Sequence, residues 1–186
     1  MRKLKLQMQV TVDGFVAGPE GELDWMPNIN ADAPLMARIM QLADTSDTIL
    51  LGRKMTDEFV KYWEHAVTNK DSPERELAQR MVDFTKVVFS KTRQQIDGKN
   101  VHVENGDLVG AVKQLKSVSG KDILVYGGAT FVSSLLEQGL IDELNFFVNP
   151  VAIGRGLQIF KGKRPLKLAS STAYASGVVV NSYVAK

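Results

Sequence analysis

The chain has 186 residues, 44% of them hydrophobic, with 23 basic against 21 acidic side chains. That suffices for one domain with its own core over residues 1–186, and a net charge of +2 with both signs interspersed gives no footprint for nucleic acid. Cysteine is absent, which rules out disulfides, thiolate catalysis and cysteine-held metals.

No apolar run is long enough to span a bilayer, so no membrane partner is expected. Met1-Arg2-Lys3-Leu4-Lys5 lacks the apolar core of a signal peptide, and a cytoplasmic location is the expectation. His65 and His102 are the only histidines, too few beside scattered acids to predict a metal site.

Leu4, Leu6, Met8, Val10 and Val12 alternate with Lys5, Gln7, Gln9 and Thr11, which predicts a strand of period two. Gln7 and Gln9 on its polar face either line a cleft or meet solvent. A long loop follows to Asn30. It carries Phe15, Val16, Leu23, Trp25 and Met26, and therefore reads as a lid over an apolar ligand. Asp13, Glu22 and Asp24 are its candidate polar contacts, although Asp13 would also serve to brace the Asp-Gly turn. Leu35, Met36, Ile39, Met40 and Ala43 then have helical spacing.

The apolar run Thr48 to Leu51 reaches Gly52 and a helix start bearing Arg53 and Lys54. Two cations there oppose the helix dipole, an arrangement that makes sense if an anion sits between them. Lys61 to Ser72 reads as a polar loop. Pro73-Glu74 opens a helix with Leu77, Met81 and Phe84 on its apolar side, and the strand Val87 to Phe89 ends in Ser90-Lys91-Thr92, two hydroxyls around a lysine.

After a short strand at Val101 to Val103 and a helix marked by Leu108, Val112 and Leu115, the run Ile123 to Tyr126 stops at Gly127-Gly128. It passes directly into a helix through Ala129, Thr130 and Phe131. A strand, a glycine turn and a helix start gather free N–H groups where a phosphate fits. Leu144, Phe146 and Val148 alternate up to Pro150, and Arg155 stands between Gly154 and Gly156, either a surface turn arginine or one reaching a substrate phosphate. The tail, Leu166 to Ala185, predicts a hairpin turning at Ser176-Gly177. Strands alternating with helices and then two closing strands predict an α/β fold, mostly parallel with an antiparallel C-terminal edge and flanking helices.

Four segments occur in the order seen in the dihydrofolate reductase superfamily: Thr11 to Gly18, Leu51 to Thr56, Phe89 to Thr92 and Tyr126 to Thr130. Leu135 to Leu144, and Asn149 to Gly156 followed by Phe160, are similar to the branch that includes the C-terminal reductase domain of bacterial riboflavin biosynthesis enzymes. The resemblance runs over essentially the whole chain and implies a three-layer fold, bound NADPH and a homodimer. It implies cofactor contacts at Val16, Ala17, Gly52, Arg53, Lys54, Met55, Thr56, Ser90, Lys91, Thr92, Tyr126, Gly127, Gly128, Ala129, Thr130 and Phe131.

The apolar strand from Leu144 to Val148 and the run Val178-Val179-Val180 offer faces for that dimer. Trp25 and Arg155 are candidate substrate contacts. The catalytic residue stays open among Asp13, Asp24 and Gln9, because Leu35 to Leu42 lacks the acid that dihydrofolate reductases place on their first helix. That departure disfavours folate. It leaves an NADPH-dependent reductase acting on a small heterocyclic or ribosylamino substrate such as 5-amino-6-(5-phosphoribosylamino)uracil, or a nucleotide-binding module without chemistry.

Overall fold

The computed structural model describes residues 1–27 and 32–185. In chain order the elements are β1 (Leu4–Thr11), α1 (Ala33–Asp44), β2 (Ser46–Gly52), α2 (Arg53–Ala66), α3 (Arg75–Asp83), β3 (Thr85–Phe89), β4 (Val101–Glu104), α4 (Leu108–Ser117), β5 (Asp122–Gly127), α5 (Ala129–Glu137), β6 (Glu143–Asn149), β7 (Leu166–Ala173) and β8 (Val179–Ala185).

Eight strands form one sheet in the order β4-β3-β2-β5-β1-β6-β8-β7. Every pairing from β4 to β6 is parallel, and β8 runs antiparallel to both β6 and β7. The central strands are apolar runs because helices cover both of their faces. Leu35, Ile39, Phe59, Trp63 and Met81 of α1 to α3 pack on one face, and Val112, Val132 and Leu135 of α4 and α5 pack on the other.

The carboxyl ends of β1, β2, β3 and β5 therefore lie together on one edge of the sheet, where open α/β sheets bind ligands. The opposite edge is closed by charge pairs. The buried Arg2 guanidinium bonds Asp47, Thr48 and the Lys121 carbonyl, while Lys5 and Lys116 reach Asp122 and Asp142 at 2.6 Å.

Two expectations need correction. The segment expected as a polar loop from Lys61 begins inside α2, which continues to Ala66 because Val60 and Trp63 extend its buried side and Trp63 meets Phe59 edge-on. The apolar faces expected at a dimer surface are largely covered within the chain: Leu144 and Phe146 are buried in the core on the α4–α5 side and Phe147, Val178 and Val180 in the core on the α1–α3 side, while Val148 and Val179 stay partly exposed.

Candidate active site

β2 and β5 are neighbours, so their terminal glycines meet. A Cβ placed on Gly52 would stand 3.0 Å from the Gly128 nitrogen and 3.0 Å from Phe131 Cβ. Gly52 is the N-cap of α2 and Gly128 that of α5; neither cap is made by a side chain, and neither first turn holds an acid. Two sets of first-turn N–H groups thus open side by side without side-chain partners. Around a Cβ built on Gly128 there is nothing within 4 Å, so free space lies directly over the α5 start. Gly127 has φ +142°, a conformation that favours glycine. Phe89 stacks on Phe131 with centroids 5.2 Å apart and gives this corner an aromatic floor.

The end of β3 is a braced turn. Buried Ser90 accepts from the Arg93 amide at 2.9 Å through its hydroxyl, and the Asn105 side chain donates to the Ser90 and Arg93 carbonyls. Arg93 clamps Asp57 of α2 through two bonds of 2.7 and 2.8 Å, which docks the turn beside the α2 start. Lys91 and Thr92 are left exposed at its tip, near the equally exposed Arg53 and Lys54.

A polar belt crosses the sheet below the glycine turn. Gln7 donates to the Tyr126 hydroxyl at 2.8 Å, and Asn149 donates to Gln9 Oε1 at 2.9 Å. The Asn149 amide nitrogen is also surrounded by the Val10 and Phe147 carbonyls, which fixes which end of the amide is oxygen. Gln7 Oε1 and Asn149 Oδ1 are buried without a hydrogen-bond partner among the described residues. The Tyr126 proton has no acceptor among the described residues, and burial raises that phenol well above its ordinary value. The belt contains no carboxylate.

The profile of the RibD C-terminal domain family matches residues 2–180. The chain belongs to this family. The uncharacterized protein YyaP of Bacillus subtilis is 34% identical over 183 residues, covering 96% of this chain and 92% of YyaP. A riboflavin-biosynthesis-type structure from Shewanella sp. PV-4 superposes with TM-score 0.73 at 21% identity, over 100% of this chain and 99% of that one. A diaminohydroxyphosphoribosylaminopyrimidine deaminase/5-amino-6-(5-phosphoribosylamino)uracil reductase from Thermotoga maritima superposes with TM-score 0.68 at 15% identity. This chain spans 57% of that two-activity protein, and the structural likeness is one of fold.

In this RibD C-terminal domain the expected cofactor residues divide by what they touch. Arg53, Lys54, Lys91, Thr92 and Thr130 are exposed, and Gly128 and Ala129 are partly so. Thr56 is fully buried and its hydroxyl donates to the Gly52 carbonyl at 3.1 Å; Met55 packs beneath Gly127. Thr56 shapes the backbone of the site rather than its surface, while Met55 is partly exposed.

Val16 and Ala17 are buried, paired with Leu157, and keep the Val16 carbonyl and Ala17 N–H out of that pairing. Asp13 accepts from the Ile153 and Gly154 amides and the Thr11 hydroxyl, and the Thr11 bond above all holds its carboxyl below the ordinary range. That is bracing of the kind the Asp-Gly turn suggested. Asp24 is exposed, and Glu22 closes its own turn by accepting from the Glu20 amide. Trp25 is partly buried, and its Nε1 lacks a partner among the described residues. Arg155 is exposed. Residues 28–30 of the expected lid lie outside the described residues.

Asp32 caps α1 through the Leu35 amide and also accepts from the Ser176 amide, so it serves the fold and not the belt. Among the described residues there is no group of three or more metal-ligating side chains, and no helix is long and apolar enough to cross a membrane.

Proposed function

We propose that this RibD C-terminal domain is an NADPH-dependent reductase acting on a small heterocyclic or ribosylamino substrate, in the manner of a 5-amino-6-(5-phosphoribosylamino)uracil reductase. The observation that carries this reading is the pair of helix starts at Gly52 and Gly128, uncapped by side chains, adjoining, with open space over one and exposed cations beside the other. These residues suit a ligand with several phosphates. NADPH, when bound, would supply the hydride.

The protein's own part is placement. The first-turn amides of α2 and α5 would hold phosphate oxygens. Arg53, Lys54 and Lys91 would neutralise the extra phosphate on the adenine ribose. The Val16 carbonyl and Ala17 N–H would face the carboxamide. At the reacting end the Tyr126 hydroxyl accepts from Gln7 and keeps its own proton, a donor that favours a ligand with a matching C=O group. An amide-and-phenol belt reads such a neutral edge without ionising. Arg155 would meet an anionic group on the substrate, and Trp25 would cover it. A homodimer in the cytoplasm belongs to the same proposal.

The test is steady-state NADPH oxidation against a panel of pteridines and aminouracils. Turnover with an aminouracil and none with dihydrofolate is the expected outcome. NADPH binding with no turnover across the panel would instead favour a nucleotide-binding module acting as a sensor or scaffold.

A further inference from the structure

The segment after β1 is fastened to the turn that carries Arg155. The Val12 amide donates to the Val151 carbonyl, the Val16 amide to that of Leu157, and the Leu157 amide to that of Ala17, each at 2.9 Å. Asp13 adds a second kind of link: Oδ2 accepts from the Gly154 amide at 2.8 Å and the Ile153 amide at 3.1 Å, while Oδ1 accepts from the Thr11 hydroxyl at 2.5 Å. The Thr11 amide in turn donates to the Phe15 carbonyl, and the Phe15 amide donates to the Thr11 hydroxyl oxygen. Gly156 lies so close beneath Ala17 that a Cβ there would collide with the Ala17 carbonyl oxygen. Two loops about 140 positions apart are joined as one body.

We infer that Asp13 and Gly156 are positioning residues that hold the Val16–Ala17 backbone and the Arg155 turn in one fixed relation, so that the nicotinamide end of the cofactor and the anionic end of the substrate are presented together. This rests on the NADPH reading above. The physical gain is preorganisation: two separate loops would each lose conformational entropy on binding, and a body already joined has lost it during folding. Asp13 suits the task because a carboxylate accepting two amides and a hydroxyl forms charge-assisted bonds.

The experiment titrates NADPH and 2′,5′-ADP, which carries the adenosine phosphates but no nicotinamide, into the wild type, Asp13→Ala, Asp13→Asn and Gly156→Ala. Asp13→Ala and Gly156→Ala should weaken NADPH roughly tenfold and leave 2′,5′-ADP within about twofold. Asp13→Asn keeps one carbonyl acceptor for the Gly154 amide and should fall between. Unchanged NADPH affinity in both Asp13→Ala and Gly156→Ala would overturn the inference while the NADPH reading stands. So would equal losses for the two ligands, which would mean that the whole edge had been disturbed. A wild type that binds neither ligand would overturn the NADPH reading and this inference with it. Should Asp13→Ala fail to fold, Asp13→Asn and Gly156→Ala make the same comparison.

Discussion

At the residue scale, Gly128 separates folding from binding. Its φ of −75° suits any residue, and its missing Cβ would point into empty space. Gly128→Val should therefore retain near-wild-type melting yet weaken NADPH at least tenfold, because the added methyls occupy the place of the phosphate. Fluorescence titration beside a melting curve checks both halves. Arg53 and Lys91 make a sharper case, since NADPH and NADH differ by one phosphate. Hydrogen bonds to charged groups contribute about 1.5–3 kcal/mol, so Arg53→Ala or Lys91→Ala should cost NADPH roughly ten- to a hundredfold and NADH little. Equal losses would remove both residues from phosphate recognition. Asp57 is the nearby acid that could have favoured NADH, and Arg93 holds it in a two-bond pair.

At the element scale, the strands and glycine turns were legible in the sequence because each is local: an apolar run, then a residue type that ends it. Helix α2 was less so past Lys61, because Lys61, Glu64 and His65 lie on its more accessible side and hide the continuation through Trp63. Lys86 was not legible at all. A lysine in a strand reads as a surface residue, yet this one is 1% exposed and donates to the carbonyls of Val82, Phe84 and Lys99 at 2.9–3.0 Å, two of them at the end of α3. No sequence pattern announces three carbonyls gathered from two segments.

Replacing Lys86 by Met should destabilise the fold by roughly 2–5 kcal/mol, because three buried carbonyls lose their donor. Burial lowers Lys86 from 10.5 to about 8. Between those values the unfolded chain binds a proton that the folded chain has released, so this group's contribution to stability rises with pH from about 8 to 10.5. Urea unfolding of wild type and Lys86→Met at pH 7, 9 and 10.5 should show the stability difference growing, and a constant difference would count against the assignment.

At the scale of the whole molecule, the fold divides its polar work between two edges. Arg2, Lys5 and Lys116 spend their charges on ion pairs at the amino ends of the strands, whereas at the carboxyl ends the Arg93–Asp57 pair braces the turn and Arg53, Lys54 and Lys91 stay exposed for a ligand. The joining of residues 12–17 to 151–157 could not be read from the chain, since it depends on the sheet placing β6 beside β1. The same topology relocates any dimer surface. With β6 interior, the outer strand β7 is the exposed edge, its residues open along almost the whole length and Leu168 53% exposed. An uncovered edge strand is a template for pairing with a second copy. Light scattering at micromolar concentration should give twice the mass of one chain, and Leu168→Lys should shift it toward a single chain. A single-chain mass for the wild type would end the dimer proposal.

Asp32 gives the molecule an internal reporter. One of its oxygens receives the Leu35 amide at the start of α1 and the other receives the Ser176 amide, 144 positions away, in a hairpin turn whose residues face water. An amide in such a turn ordinarily trades its proton with solvent at once, whereas this one can do so only when the hairpin lifts from the helix. Deuterium uptake at Ser176 should consequently be slow for its surroundings and should follow the undocking of the hairpin from α1. In Asp32→Ala, Ser176 and Leu35 should gain deuterium together, two distant amides keeping one clock, and uptake that quickened at only one of them would show that the two ends open independently.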